Sequence, residues 1–347
     1  MNRPCTSAVL IGFGSIGHFH ARLLNDRYNR LAIVDMDNQA RIQASDLYPK
    51  AVISPLLEEL ESFDWDWSKT LAVIATWGPN HATLFDELVS YGVKYILCEK
   101  PLAGSIKSGA AMVRTARKKN ISLGVHHHLR YSGFSKGVRN LASQHGLGEP
   151  VAILLHGGAN GILTRGIHYL DASCDLFGRY PLSVISSAWG DPINPRSQDL
   201  MFYDGTVSWN FGQRRELCFF FSNHSSITRS FNIYFRNASL IVLNNFEVEI
   251  RSRKPSDVKK FPTITRTGEL TEILYRGPIP GFLPKETRTL DLLDDIESGN
   301  VNKFPPTLAL LALNSCIGAL EAGRSGRRVD LPIDVNSAMA AVEWPIS

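Results

Sequence analysis

Residues 8–17 read Ala-Val-Leu-Ile-Gly-Phe-Gly-Ser-Ile-Gly. An unbroken apolar run enters three glycines spaced G-x-G-x-x-G and leaves into a stretch with Ile16, Phe19, Leu23 and Leu24 on one helical face. A strand that turns into a helix through this spacing is a phosphate cradle. Gly12 permits the tight turn, Gly14 lets a pyrophosphate approach the backbone, and Gly17 lets helix and strand pack closely. The helix N-terminus, with its free N–H groups and partial positive charge, then faces the phosphates. The whole turn, with Phe13, Ser15 and Ile16 between the glycines, is the candidate cofactor loop.

The next apolar run, 31–34, ends at Asp35. A carboxylate at the end of the second strand accepts hydrogen bonds from both adenosine-ribose hydroxyls and repels a 2′-phosphate, so the reading favours NAD over NADP. Further buried-strand runs follow at 71–75, 95–98 and 121–125, with amphipathic helical patterns between them. Continuous apolar runs suit strands covered on both faces. Strand and helix in alternation predict a doubly wound parallel sheet, a Rossmann fold.

Past residue 127 the texture changes. One helix is expected over 163–177, and strands over 151–155, 205–211, 217–222, 230–235, 239–243 and 247–250. A run of strands after a helix predicts an α+β domain built on a mainly antiparallel, open sheet. A mostly buried helix is expected over 308–320, and surface loops at 254–262 and 277–284, which are rich in Pro, Lys or Gly. The expected division is a dinucleotide-binding domain, 1–127, and a substrate-binding and oligomerisation domain, 128–347. At about 150 residues per domain, a chain of 347 residues has room for both.

Composition narrows the function classes. Apolar residues make up 44% and charged residues 20%, which excludes disorder as the main state. A net charge of +4 over this length gives no footprint for nucleic acid. No apolar stretch approaches the eighteen or so residues of a membrane span, and the N-terminus lacks the pattern of a signal peptide. Five cysteines without C-x-x-C spacing fit free thiols in a reducing, cytoplasmic setting.

The third strand runs into Ala75-Thr76-Trp77-Gly78-Pro79-Asn80-His81, and the fourth into Glu99-Lys100-Pro101-Leu102. A dinucleotide fingerprint, then A-T-x-x-x-x-H, then E-K-P-L, resembles the Gfo/Idh/MocA oxidoreductases. The resemblance extends through Arg130, the segment 161–178 and the closing segment 325–332. It implies a Rossmann domain followed by an open sheet that serves as the surface of a homodimer or homotetramer. It also adds Thr76, Trp77, Pro79, His81, Glu99 and Lys100 to the cofactor-binding set. Lys100 has a physical argument of its own. It stands at the C-terminal end of a parallel strand, where ligands bind, and its ammonium can steady a substrate oxygen.

Thr164-Arg165-Gly166-Ile167-His168-Tyr169-Leu170-Asp171 resembles the family's D-x-G-x-H-x-x-D helix, with Thr164 standing where the family has Asp. Spacings of four and three put Thr164, His168 and Asp171 on one face. The resemblance gives His168 an acid/base or substrate-binding role. A reference pKa near 6.5 suits it to take a proton from a hydroxyl. Threonine can hydrogen-bond but cannot ionise. The chain is therefore active with Lys100 and His168 alone, redirected to a substrate whose own anionic group would clash with Asp, or catalytically weak. Arg165 favours an anionic substrate if it faces the pocket, but neighbours on a helix point about 100° apart. His128 and Arg130 are further substrate-binding candidates, with a hinge salt bridge as the other reading of Arg130. His126-His127-His128 closes the first domain, and no metal is assigned to it.

The expected activity is hydride transfer between NAD and a secondary alcohol or ketone of a sugar, cyclitol or nucleotide sugar. The alternatives are a non-catalytic dinucleotide-binding regulator of the same fold and a reductase of an imine or enone.

Overall fold

The structure is a computed structural model that describes residues 3–187, 203–222, 224–226, 230–243, 245–261 and 271–346. The chain divides into two compact units. The first runs through Tyr131 and takes up Pro284–Leu313 and the segment from Asp334 onward; the second is Ser132–Leu283 with Asn314–Ile333.

In the first unit, β1 (Ser7–Ile11), β2 (Arg30–Val34), β3 (Val52–Ser54), β4 (Thr70–Ile74), β5 (Tyr95–Cys98) and β6 (Ser122–Val125) form one sheet in the order β3-β2-β1-β4-β5-β6. Every pairing is parallel. Every residue of β1 and β4 is buried, which is why those strands read as continuous apolar runs. The connecting helices are α1 (Ser15–Arg27), α2 (Asn38–Leu47), α3 (Gly78–Ser90) and α4 (Ile106–Lys118). Asp37 and Ser105 cap α2 and α4, accepting from the N–H groups of Gln39 and Ser108 at 3.1 Å each. Strand order reverses between β1 and β4, and this is where a doubly wound sheet opens a crevice at its C-terminal edge.

The second unit holds α5 (Phe134–Gln144), β7 (Ala152–Gly158), a π-turn (Ile162–Gly166), α6 (Ile167–Phe177), β8 (Ser183–Ser186), β9 (Gly205–Asn210), β10 (Glu216–Phe221), β11 (Ser230–Tyr234), β12 (Ala238–Val242), β13 (Glu247–Arg253), α7 (Pro255–Lys260) and β14 (Thr271–Pro278). With β15 (Val329–Asp330), its strands make a nine-stranded sheet ordered β14-β13-β12-β11-β7-β10-β9-β8-β15. Among the described residues, only the β7–β10 pairing of this sheet is parallel. Burial alternates along β7, β9, β10 and β11, so one face is covered and the other is open.

The fold class follows the sequence reading, and three details differ. Residues 284–313 and 334–346, expected in the second domain, fold with the first. Helix α8 (Lys285–Glu297) packs on β5 and β6. Gly124 of β6 lies so close to Leu292 and Ile296 of α8 that a side chain there would collide with both. The C-terminal segment is tied down by the Trp344 N–H donating to Gly104 O at 3.0 Å and the Ser108 hydroxyl donating to Glu343 Oε1 at 2.7 Å. Second, part of the expected loop 254–262 is helical. Pro255 opens α7, a position where proline's missing N–H is harmless. Third, residues 277–278 close β14 rather than belonging to a loop.

Helix α9 (Pro306–Ser325) is long and apolar enough to cross a membrane by length and composition, yet two thirds of its apolar window is buried inside the protein. Its residues 306–313 belong to the first unit and 314–325 to the second. It reads as a core helix.

Candidate active site

The glycine turn shows why each glycine stands where it does. Gly12 has φ of 97°, and a Cβ there would lie 2.8 Å from Ala75 O. A Cβ on Gly17 would press into the Gly12 carbonyl. Around Gly14, by contrast, a Cβ would meet nothing within 4 Å. Two glycines are demanded by the fold itself; the third keeps an approach to the backbone open. Ser15 and Ile16 begin α1, and Phe13 is buried with its ring 4.0 Å from that of His18.

Asp35 is anchored by the turn it faces. Its Oδ2 accepts the Phe13 N–H at 2.6 Å, and its Oδ1 accepts the Asp37 N–H at 2.8 Å. Each oxygen keeps a lone pair for a further donor such as a ribose hydroxyl. The neighbouring guanidinium of Arg41 is engaged with the carbonyls of Asp35 and Met36.

A cleft of about 660 Å³ opens at this edge, bordered by Gly12, Gly14, Asp35, Thr76 and Trp77 among others. That volume lies within the usual range for small-molecule sites. The Thr76 hydroxyl oxygen is buried with no hydrogen-bond partner, so it offers a donor and an acceptor to a ligand. The cleft wall also includes Met36, Leu56, Thr83, Leu84 and Glu87, which the sequence reading did not single out. They carry no motif; only the tertiary fold gathers them. An open Gly14, an anchored Asp35 and an orphan hydroxyl together fit a dinucleotide.

The two loops that follow β4 and β5 are joined from below. His81 is fully buried, with Nδ1 2.9 Å from Pro101 O and Nε2 3.2 Å from Thr76 O. Burial pushes its pKa down; a neutral ring has one N–H and donates it to only one of these two carbonyls, and the ring takes no place on the cleft wall. Pro79, at the start of α3, is exposed. Lys100 is half-buried, two residues past the end of β5, and its peptide bond to Pro101 is cis.

Glu99, expected to bind cofactor, is buried. Its Oε1 lies 2.7 Å from His20 Nε2 and 2.6 Å from His126 Nδ1. Burial alone would raise its pKa. The contacts with His126 and His20 outweigh burial and hold its carboxyl well below the usual range. The part played by His20 carried no sequence signal, because His20 and Glu99 are far apart in the chain.

His127 is buried with its ring 5.0 Å from Phe304, and the Arg130 guanidinium lies 5.1 Å from the same ring, a cation–π contact. Burial, and then the charge of Arg288, hold His128 well below its usual pKa.

In the second unit, Thr164 sits in the π-turn, and His168 and Asp171 follow on α6. All three are buried, whereas Arg165 is exposed. The turn is set by packing. Phe221 of β10 fills the space that side chains on Gly157 and Gly166 would need. Asp171 accepts the Tyr180 hydroxyl at 3.2 Å and bears on Cys316 of α9, whose thiol is pushed up by burial and then by that carboxylate. The structure therefore surrounds Asp171 with internal partners.

Residues 6–127 match the model of an oxidoreductase family with an NAD-binding Rossmann fold, GFO_IDH_MocA. The match covers about a third of the chain, the part that forms the parallel sheet. A 1,5-anhydro-D-fructose reductase from Ensifer adhaerens is 37% identical over 59 residues, which cover 17% of this chain and 18% of the reductase. Two solved structures share the fold along nearly the whole chain. An oxidoreductase from Agrobacterium radiobacter in complex with NAD+, L-tartaric acid and magnesium has a TM-score of 0.71 at 17% identity, over 94% of this chain and 98% of that one. UDP-N-acetylglucosamine 3-dehydrogenase from Acidithiobacillus ferrooxidans has a TM-score of 0.69 at 17% identity, over 92% and 97%.

Because Gly14 has open space around it, Gly14→Val is expected to leave stability within about 0.5 kcal/mol of wild type. Dinucleotide affinity is expected to fall at least about tenfold, roughly 1.4 kcal/mol. Thermal unfolding and titration calorimetry check the two halves; unchanged affinity would remove Gly14 from the site.

Proposed function

We propose that the chain is an NAD-dependent oxidoreductase that moves a hydride between the nicotinamide and a secondary alcohol or ketone of a sugar, cyclitol or nucleotide sugar. The observation that carries this reading is the anchored Asp35 beside an open Gly14, at the C-terminal edge of the same sheet from which Lys100 projects. The sugar class is drawn from the named activities of the reductase and dehydrogenase that resemble it.

The nicotinamide, when bound, supplies the hydride acceptor or donor. In the oxidative direction His168 takes the hydroxyl proton as the carbon–hydrogen bond breaks, and the Lys100 ammonium steadies the charge that develops on the oxygen. In reduction, His168 returns the proton. Thr164 can donate and accept a hydrogen bond but cannot share proton transfer, so the proton work falls to His168. Thr164 also keeps the regulator reading in play, and turnover separates the two. Lys100→Met and His168→Ala are each expected to keep NAD binding and lower kcat at least about a hundredfold. Unchanged turnover in both, measured across a panel of sugars and nucleotide sugars, overturns the assignment.

We read the cofactor as NAD rather than NADP because Asp35 would repel a 2′-phosphate. Asp35→Ala should narrow the ratio of NAD to NADP efficiency by at least about tenfold, from the loss of a charged hydrogen-bonding group. A constant ratio in steady-state kinetics would assign selectivity elsewhere.

We further infer a homodimer or homotetramer formed through the open sheet face, where Leu154 is 41%, Phe220 45% and Ile185 57% exposed. A second copy of the same face satisfies this patch by two-fold symmetry. Phe220→Glu is expected to shift the sedimentation coefficient to that of a monomer; a monomeric wild type at micromolar concentration refutes the interface. Free thiols at all five cysteines are compatible with a reducing, cytoplasmic setting.

A further inference from the structure

We propose that His20, Glu99, His126 and Thr289 form a buried charged clamp on the backbone of Lys100, in which His126 donates from both ring nitrogens.

The assignment follows from counting hydrogens. Glu99 Oε1 stands 2.7 Å from His20 Nε2 and 2.6 Å from His126 Nδ1. A carboxylate only accepts, so both nitrogens must carry hydrogen. On its other side, His126 Nε2 lies 3.0 Å from Thr289 Oγ1. The single hydroxyl hydrogen of Thr289 is given to Lys285 O, one helical turn back at 2.8 Å. The Thr289 oxygen is therefore an acceptor, and His126 Nε2 must donate as well. A ring that donates twice is an imidazolium. His20 differs: burial pushes its pKa down, and one N–H is all its contact with Glu99 needs.

Glu99 Oε2 completes the clamp by accepting the Lys100 N–H at 3.2 Å. The side chain of Glu99 thus fixes the peptide from which Lys100 projects, while two histidines from α1 and the end of β6 fix Glu99. Two further cations lie on α8. The Lys285 ammonium lies 3.7 Å from the Phe19 ring centre and acts on Glu99, and Arg288 follows one turn later.

The same three side chains could in principle hold a metal ion. Tetrahedral zinc at about 2.0–2.1 Å from nitrogen or oxygen would separate its ligand atoms by roughly 3.3 Å. The observed 2.6 and 2.7 Å are hydrogen-bond separations, so protons hold the cluster together. His20, Glu99 and His126 are then positioning residues, acting through Lys100. Their effect on turnover rests on the function proposed above; the clamp itself does not.

The test uses the full chain labelled with ¹⁵N-histidine and with ¹⁵N-lysine. At pH 7, both His126 nitrogens should show directly attached hydrogen, and one bare nitrogen overturns the imidazolium. Elemental analysis that finds one metal ion per chain overturns the protonic cluster. Glu99→Gln should speed hydrogen exchange at the Lys100 amide at least about tenfold. It should also lower kcat about tenfold or more with the NAD dissociation constant unchanged. Unchanged exchange removes the clamp. His20→Asn, which keeps a donor, covers the case where the first variant fails to fold, and should give a smaller change of the same sign. A wild-type protein without turnover would sink the proposed function, while the nitrogen spectra and the amide exchange would still decide the clamp.

Discussion

The contact between Gly17 and the Gly12 carbonyl is the constraint on which the first unit depends. Neither position tolerates a side chain, since one would strike a carbonyl within the turn and the other the carbonyl of Ala75. Close approach there lets α1 lie against β1 and brings the start of α1 to the crevice. The same turn supplies the Phe13 N–H that pins Asp35, so the open loop at Gly14 also sets the carboxylate proposed above to read the ribose. Turn and carboxylate are joined at the end of two buried strands.

Below the crevice, buried histidines do the bracing. His81 bridges the loops after β4 and β5, and His126 with His20 brackets Glu99. Both devices place a buried imidazole between two segments of chain, with polar partners at both ring nitrogens of His81 and of His126. Both also converge on the segment that contains Lys100 and Pro101. Under the function proposed above, the Lys100 ammonium works only if its backbone does not wander, because misplacement of about 1 Å can cost about a hundredfold in rate. The second unit uses a different method, packing: Phe221 wedged between Gly157 and Gly166 sets the turn that carries Thr164 and leads into His168.

The parallel sheet, the open sheet and the glycine turn were legible because each leaves a local trace: apolar runs without alternation, partly alternating strands, and a spacing that only a phosphate turn requires. Asp35 was legible by its distance from Gly17. The return of α8 to the first unit was not, since the partner surface of an amphipathic helix is not written in its own periodicity. Gly124, which admits Leu292 and Ile296, is the matching half of that contact and reads as an ordinary strand glycine. Glu99 was expected to bind cofactor, but its side chain faces inward to His20 and His126. A motif fixes residue type and position, and not which side of the strand end a carboxyl turns to. His20 and Thr289 were invisible for the same reason: their partners lie 79 and 163 residues away.

Thr164 is where sequence and structure bear on each other most directly. Its burial in a π-turn makes a carboxylate at this position costly unless paired, because an isolated buried charge carries a large desolvation penalty. An aspartate there would need a partner or a ligand to meet that demand. Threonine removes the demand and leaves an uncharged, buried hydroxyl in the turn. The adjacent Arg165, exposed on the other side of the turn, does not compensate for the lost carboxylate. Threonine brings no charge to the turn that leads into His168. Under the function proposed above, the proton transfer that an aspartate could share therefore falls to His168 alone.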